Sequence, residues 1–312
     1  MGNNKIDLSQ DILYLDLSSG LSGDMFVASL LDLGVDRNAL MEALYSIKDD
    51  GFKIVISDKF KSGIRVKDFD VVLDSKHENF DHDMEYLHGN DERYVAEKHH
   101  EHSHEHSHEH EHSHEHSHEH EHSHAHSHGH SHNTEYHHHH GRGLKEVFAI
   151  IDKSSCNDNT KEIAKDIFNI LAKAEAKAHG VDISEVHFHE VGAIDSIVDI
   201  IAAAFCIDYL KIKRTCIPYI SEGKGTVRCQ HGILPIPVPA VTSIVMDNGL
   251  IINNTDVYGE LITPTGAAIA AKLVTETHLP DKYKIINTGY GGGKREYKTA
   301  GFVRAIHISE EN

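Results

Sequence analysis

The sequence has little that would tie it to an oxidising compartment or a membrane. Its four cysteines, Cys156, Cys206, Cys216 and Cys229, form no C-x-x-C pair. The body is large enough to build a core without disulfide staples, so a reduced, cytoplasmic chain is the expectation. The N-terminus, MGNNKIDLSQDI, has no apolar signal-peptide stretch and no Ser or Thr at position 6 for a myristoylation signal. The longest apolar run, IIAAAFCI at 200–207, falls far short of a membrane span. Positive charge is scarce too: 30 Lys and Arg stand against 49 Asp and Glu, a formal charge of −19. That balance argues against the basic stripe of a nucleic-acid-binding face and is compatible with holding cations.

One absence is local. Between His99 and His140 there is no Leu, Ile, Val, Phe or Met, and 22 of the 42 residues are His. Such a segment cannot bury enough apolar surface to offset its ordering entropy, and it is expected to be disordered without metal. The tract supplies eight acids and no Lys or Arg, which leaves −11 for the rest of the chain. Imidazole suits nickel, copper and zinc. The candidate ligands here include His102, His104, His106 and His108 in the alternating part and His137, His138, His139 and His140 at its end. With no fixed geometry, the tract suits a metal reservoir or sensor better than a catalytic centre. Composition shifts near Ser75, which divides the chain into 1–75, a His-rich insertion over 76–141, and 142–312.

Outside the tract, strands and helices alternate, and the expected fold is a mixed α/β (α+β) body. A buried strand over 12–17 leads through SSGLSGD into a helix ending at Gly34, with a second helix over about 37–47. Strands at about 52–57 and 64–73 flank a turn at KSG. Helices follow at about 143–153 and 159–179, the second capped by Gly180. VHFHEVGAIDSIVDIIAAAFCIDYL reads as a short strand, a turn and a buried helix; TCIPYI and GTVRCQ read as strands. Pro239 is placed at the first turn of the next helix, and Thr265 at the cap of an Ala-rich one. The C-terminus reads as a strand, a Gly-rich loop and a final strand.

Several segments carry residues suited to chemistry. DLSSGLSGD puts Asp16 at a strand end, and Ser18, Ser19, Gly20, Ser22, Gly23 and Asp24 before or at a helix N-terminus, where free N–H groups suit phosphate or carboxylate. The plain alternative is an ordinary strand-to-helix turn. HFHE places His187 and His189 on one face of a strand, about 7 Å apart, beside Glu190. Asp195 and Asp199 follow at i,i+4 on a helix. That set can ligate a divalent metal or move a proton; alternatively it caps a helix and is satisfied internally. Cys229 and His231 offer a soft and a borderline donor, or else a buried Cys and a turn His. Thr263 and Thr265, and the Gly291, Lys294 and Arg295 of GYGGGKRE, can cradle an anion. The last segment fails the Walker A and dinucleotide-binding spacings.

Taken together, LYLDLSSGLSGDMFVASLLDLG, AEAKAHGVDISEVHFHEVGAIDSIVDI, RCQHGILPIPVPA, GELITPTGAA and GYGGGKRE resemble, in order and wording, the LarC family of nickel insertion proteins. The resemblance implies nickel insertion into pyridinium-3,5-bisthiocarboxylic acid mononucleotide. This completes the nickel-pincer cofactor of lactate racemase-type enzymes, with one carbon–nickel and two sulfur–nickel bonds. It further implies dependence on CTP, with Mn2+ or Mg2+, and a C-terminal domain that this chain is expected to lack or to receive separately. The motif residues carried over are Asp16, Ser18, Ser19, Asp24, His187, His189, Glu190, Asp195, Asp199, Cys229, His231, Thr263, Thr265 and Arg295. Where the family has GYGAGTRD, this chain has Gly292, Lys294 and Glu296. The competing reading is a non-catalytic nickel store or chaperone; a weaker third is a phosphate-ligand hydrolase.

Overall fold

The computed structural model describes residues 6–47, 51–73, 84–89, 93, 142–188 and 192–311. In chain order the elements are β1 (Ile12–Asp16), α1 (Gly23–Leu33), α2 (Arg37–Tyr45), β2 (Phe52–Lys61), β3 (Ile64–Leu73), α3 (Met84–His88), β4 (Arg142–Gly143), α4 (Leu144–Lys153), α5 (Asp158–His179), β5 (His187–Phe188) and α6 (Ile194–Tyr209). They continue with β6 (Arg214–Cys216), β7 (Ile220–Lys224), β8 (Thr226–Cys229), β9 (Gly232–Pro235), α7 (Pro239–Asn248), β10 (Ile252–Tyr258), α8 (Pro264–Leu273), β11 (Tyr283–Gly292) and β12 (Phe302–Glu310).

Six strands form one mixed sheet in the order β2-β3-β11-β12-β1-β6. The first and last strands in sequence pair directly, β1 antiparallel to β12 with Asp16 opposite Arg304. The apolar run of β1 explains its interior place: Ile12, Leu13 and Leu15 are fully buried. Helix α1 lies across β11, β3 and β12. It can approach closely because Gly289 and Gly291 put no side chains beneath it: a Cβ at Gly291 would lie 2.0 Å from the Met25 carbonyl oxygen. The glycines expected in a loop therefore belong to the strand through Gly292, and the loop proper begins at Gly293.

A second layer packs α5 against α6, α7 and α8. Helix α6 is apolar on most sides and buries Ile197, Val198, Ile200 and Ile201. Its start is anchored by β5, where Phe188 is 1 % exposed and meets Phe168 of α5 edge to face at 5.9 Å. Asn157 caps α5, accepting from Thr160 N at 2.8 Å, and Gly180 closes it in the left-handed region.

Three local features differ from the sequence reading. Thr263, not Thr265, caps α8, because Pro264 takes the first helical position and leaves the cap to the residue before it. Strands β7 and β10 pair in parallel where polar residues hide the strand pattern. Residues 84–88, inside the span read as insertion, form α3, which Leu87 buries. The His tract itself, with His102, His104, His106, His108, His137, His138, His139 and His140, lies outside the described residues. Among the described residues no helix is long and apolar enough to cross a membrane.

Candidate functional site

The loop after β1 sets up the site. Leu21 N donates to the Leu261 oxygen at 2.9 Å, and Thr263 N donates to the Leu21 oxygen at 3.1 Å. This bridge needs Gly20, which has φ +85° and whose Cβ, if present, would lie 2.0 Å from the Leu261 oxygen. The pairing sets the N-termini of α1 and α8 side by side. Both open onto a cavity of about 530 Å³, a size suited to a small-molecule ligand. Ser19, Ser22, Gly23, Asp24, Thr263 and Thr265 line it, and the first turns of α6 and α7 add Asp195, Ser196 and Pro239. Asp199 lies one turn beyond Asp195 on the same helix face, as the i,i+4 spacing requires.

Opposite charges are interleaved on the lining. Lys294 Nζ lies 2.8 Å from Asp70 Oδ1. Burial alone would lower its pKa, but Asp24, Asp199 and Asp70 outweigh that and hold the ammonium well above its ordinary value. Arg295 donates to Glu260 Oε2 at 2.5 Å, and Glu260 is buried. Beside them, burial pushes the Tyr297 hydroxyl up to about 12. That hydroxyl meets His88 Nε2 at 3.0 Å, which ties α3 to the lining.

A third group is more exposed. Cys229 ends β8 and His231 sits in the turn to β9, with Sγ and Nδ1 3.9 Å apart. The His231 ring faces that of His179, the last residue of α5, at 4.9 Å between centroids. Glu175 Oε2 lies 3.5 Å from His179 Nε2. Partial desolvation, and then His179, pull His231 below its ordinary value, which favours the neutral, ligating form. The other three cysteines are buried, and burial pushes each thiol up, Cys216 to about 11.

The cavity therefore brings together Ser19, Ser22, Gly23, Asp24, Asp195, Asp199, Cys229, His231, Thr263, Thr265, Lys294 and Arg295 from the sequence reading. Other candidates stand elsewhere. Asp16 is held by Arg304 and by Ser18; burial raises its pKa, but these partners bring the carboxyl below its ordinary range. Gly20 and Gly291 serve close backbone approach. His187 is exposed on β5, which pairs with β4, and it is not part of the lining. His189 and Glu190 lie outside the described residues. Sequence reasoning passed over Glu175, His179, Glu260 and Tyr297. His179 stood next to a capping glycine and read as a helix end, and Glu175 four residues before it was the signal to look again.

Chemically, paired helix N-termini with Lys294 and Arg295 suit an anion. Asp24, Asp195 and Asp199 suit a cation or serve as proton acceptors. A thiol beside two imidazoles suits a borderline divalent metal. A family model described as nickel insertion protein matches residues 13–312. Pyridinium-3,5-bisthiocarboxylic acid mononucleotide nickel insertion proteins are 44% identical over 300 residues in Alkaliphilus metalliredigens and 43% over 301 in Clostridium acetobutylicum. One from Acetivibrio thermocellus is 35% identical over 295 residues. These alignments cover 95–96% of this chain but 60–64% of the relatives, so the chain spans about three fifths of their length. No solved structure matches it.

Proposed function

Because the chain belongs to the nickel insertion protein family, we propose that its cavity binds pyridinium-3,5-bisthiocarboxylic acid mononucleotide while nickel is inserted into it. The observation that carries this reading is the interleaving of charge in one cavity. The ligand's name describes a phosphate, a cationic ring and two anionic thiocarboxylates. The N-termini of α1 and α8, with Lys294 and Arg295, suit the phosphate, and Asp24, Asp195 and Asp199 suit the pyridinium ring.

Insertion breaks one ring C–H bond and forms one carbon–nickel and two sulfur–nickel bonds. The electron pair of the C–H bond becomes that of the carbon–nickel bond, nickel stays divalent, and the proton leaves to a base. A carboxylate among Asp24, Asp195 and Asp199 is positioned for that part in this reading. The rest of the reading draws on the motif resemblance. The reaction is a lyase-type cyclometallation in the cytoplasm, driven by CTP with Mn2+ or Mg2+ on a C-terminal domain. The product passes to a racemase or epimerase, and the His tract gathers nickel.

Titrating the mononucleotide into the chain and its Lys294→Met variant by calorimetry tests the binding mode. Loss of one charged hydrogen-bonding partner is expected to weaken binding roughly 10- to 100-fold. Equal affinity in both proteins would remove the phosphate role of Lys294.

A further inference from the structure

Cys229, His231 and His179 stand together on two separate elements, the β8–β9 turn and the C-terminus of α5. Sequence spacing links the first two and gives no hint of the third, which arrives 50 residues earlier in the chain. From this juxtaposition we infer a thiolate–bis-imidazole site that receives a borderline divalent metal at the cavity. It rests on the nickel-insertion reading for the identity of that metal.

The distances suit such a site. A metal–sulfur bond near 2.3 Å and a metal–nitrogen bond near 2.0 Å, at a tetrahedral angle, put the two donors about 3.5 Å apart. Cys229 Sγ and His231 Nδ1 are 3.9 Å apart. Two imidazoles on one ion have centroids about 5 Å apart by the same geometry; the His179 and His231 rings stand at 4.9 Å. Glu175 Oε2 stands 3.5 Å from His179 Nε2, the placement of a carboxylate that orients a ligating imidazole. His179 is also the last residue of a 22-residue helix, where the helix dipole favours positive charge.

Among the described residues no three His, Cys, Asp or Glu side chains already converge on one metal-sized point. The donors stand as two adjacent pairs sharing His231, and a metal draws them together by side-chain rotation. Loose closure of that kind suits a site that accepts an ion and releases it to a substrate in the same cavity. Cys229 is the partly exposed one of the four cysteines, so thiolate ligation has one source on this chain.

The test is a titration of the full chain with nickel chloride, read as the near-ultraviolet thiolate-to-nickel charge-transfer absorption. The imidazoles of the His tract contribute nothing to that band. The expected result is a saturable band that Cys229→Ser abolishes while circular dichroism stays unchanged. His179→Ala should shift its midpoint at least tenfold to higher nickel, and Glu175→Gln by less. No band in the folded chain, a band that survives Cys229→Ser, or a midpoint unmoved by His179→Ala overturns the site. If Cys229→Ser does not fold, His179→Ala decides alone. A band with no cofactor formed, even when CTP and the C-terminal part of a relative are supplied, keeps this site and removes the insertion reading. Cofactor formed equally well by Cys229→Ser does the reverse.

Discussion

Glu222 shows how much depends on a side chain outside the cavity. It is fully buried on β7, and its Oε1 accepts N–H groups from Gly223 and Leu261, both at 2.8 Å. Those bonds hold the segment after β10 that leads through Glu260 to the Thr263 cap. Its Oε2 has no hydrogen-bond partner among the described residues. Burial pushes the carboxyl up to about 7; the Leu261 and Gly223 amides pull the other way, and Glu260 adds to the rise. The folded value lies above the ordinary 4.5, so folding takes up a proton between these values. The stabilising contribution is complete below about pH 4.5 and is lost as pH rises through about 7. Glu222→Gln removes that titration. Thermal unfolding should show the wild-type chain losing more stability between pH 5 and pH 8 than the variant; parallel losses would contradict the assignment.

At the scale of elements, the site is held by anchors that are themselves apolar. Phe188 fixes β5 against α5 just before α6 presents Asp195 and Asp199. Phe188→Ala should cost about 3–5 kcal/mol in denaturant unfolding, as for other buried aromatic truncations; a loss under 1 kcal/mol would mean that β5 is not an anchor. The HFHE alternation that put His187 and His189 on one face is described for its first half, with Phe188 in and His187 out. What the spacing could not say is that the His187 face lies away from the cavity lining. Elements with strong periodicity or caps, such as α1, α5, α6 and the β2–β3 hairpin, were legible in the sequence. Strands β7 and β10 were not, because a buried Glu222 and a run of Asn, Thr and Asp break the apolar pattern. The GYGG segment misled in the same way, since glycines chosen for helix-to-strand contact look like loop glycines.

Over the whole molecule, stretches far apart in the chain make one site, among them the loop after β1, the turn between β8 and β9, and the residues following β11. Direct pairing of β1 with β12, of β12 with β11, and the Leu21–Ile262 bridge bring the loop after β1, the end of β11 and the start of α8 together. Local motifs named the residue types but not this closure, which joins groups more than 200 residues apart. The acidic balance also acquires a location, because Asp24, Asp195, Asp199, Glu175 and Glu260 all line the same cavity. On the proposed reading, insertion requires the metal, the anion and a proton-accepting carboxylate to meet in this one cavity. The direct measurement is mass spectrometry of the pyridinium mononucleotide after incubation with the chain, nickel and CTP with magnesium, alone and with the C-terminal part of a relative added. The account predicts a product that carries one nickel and has lost the ring proton in at least one arm, and no such product when Asp24, Asp195 and Asp199 are all changed to Asn. An absence of nickel-bearing product in both arms, or undiminished product from the triple variant, would contradict it.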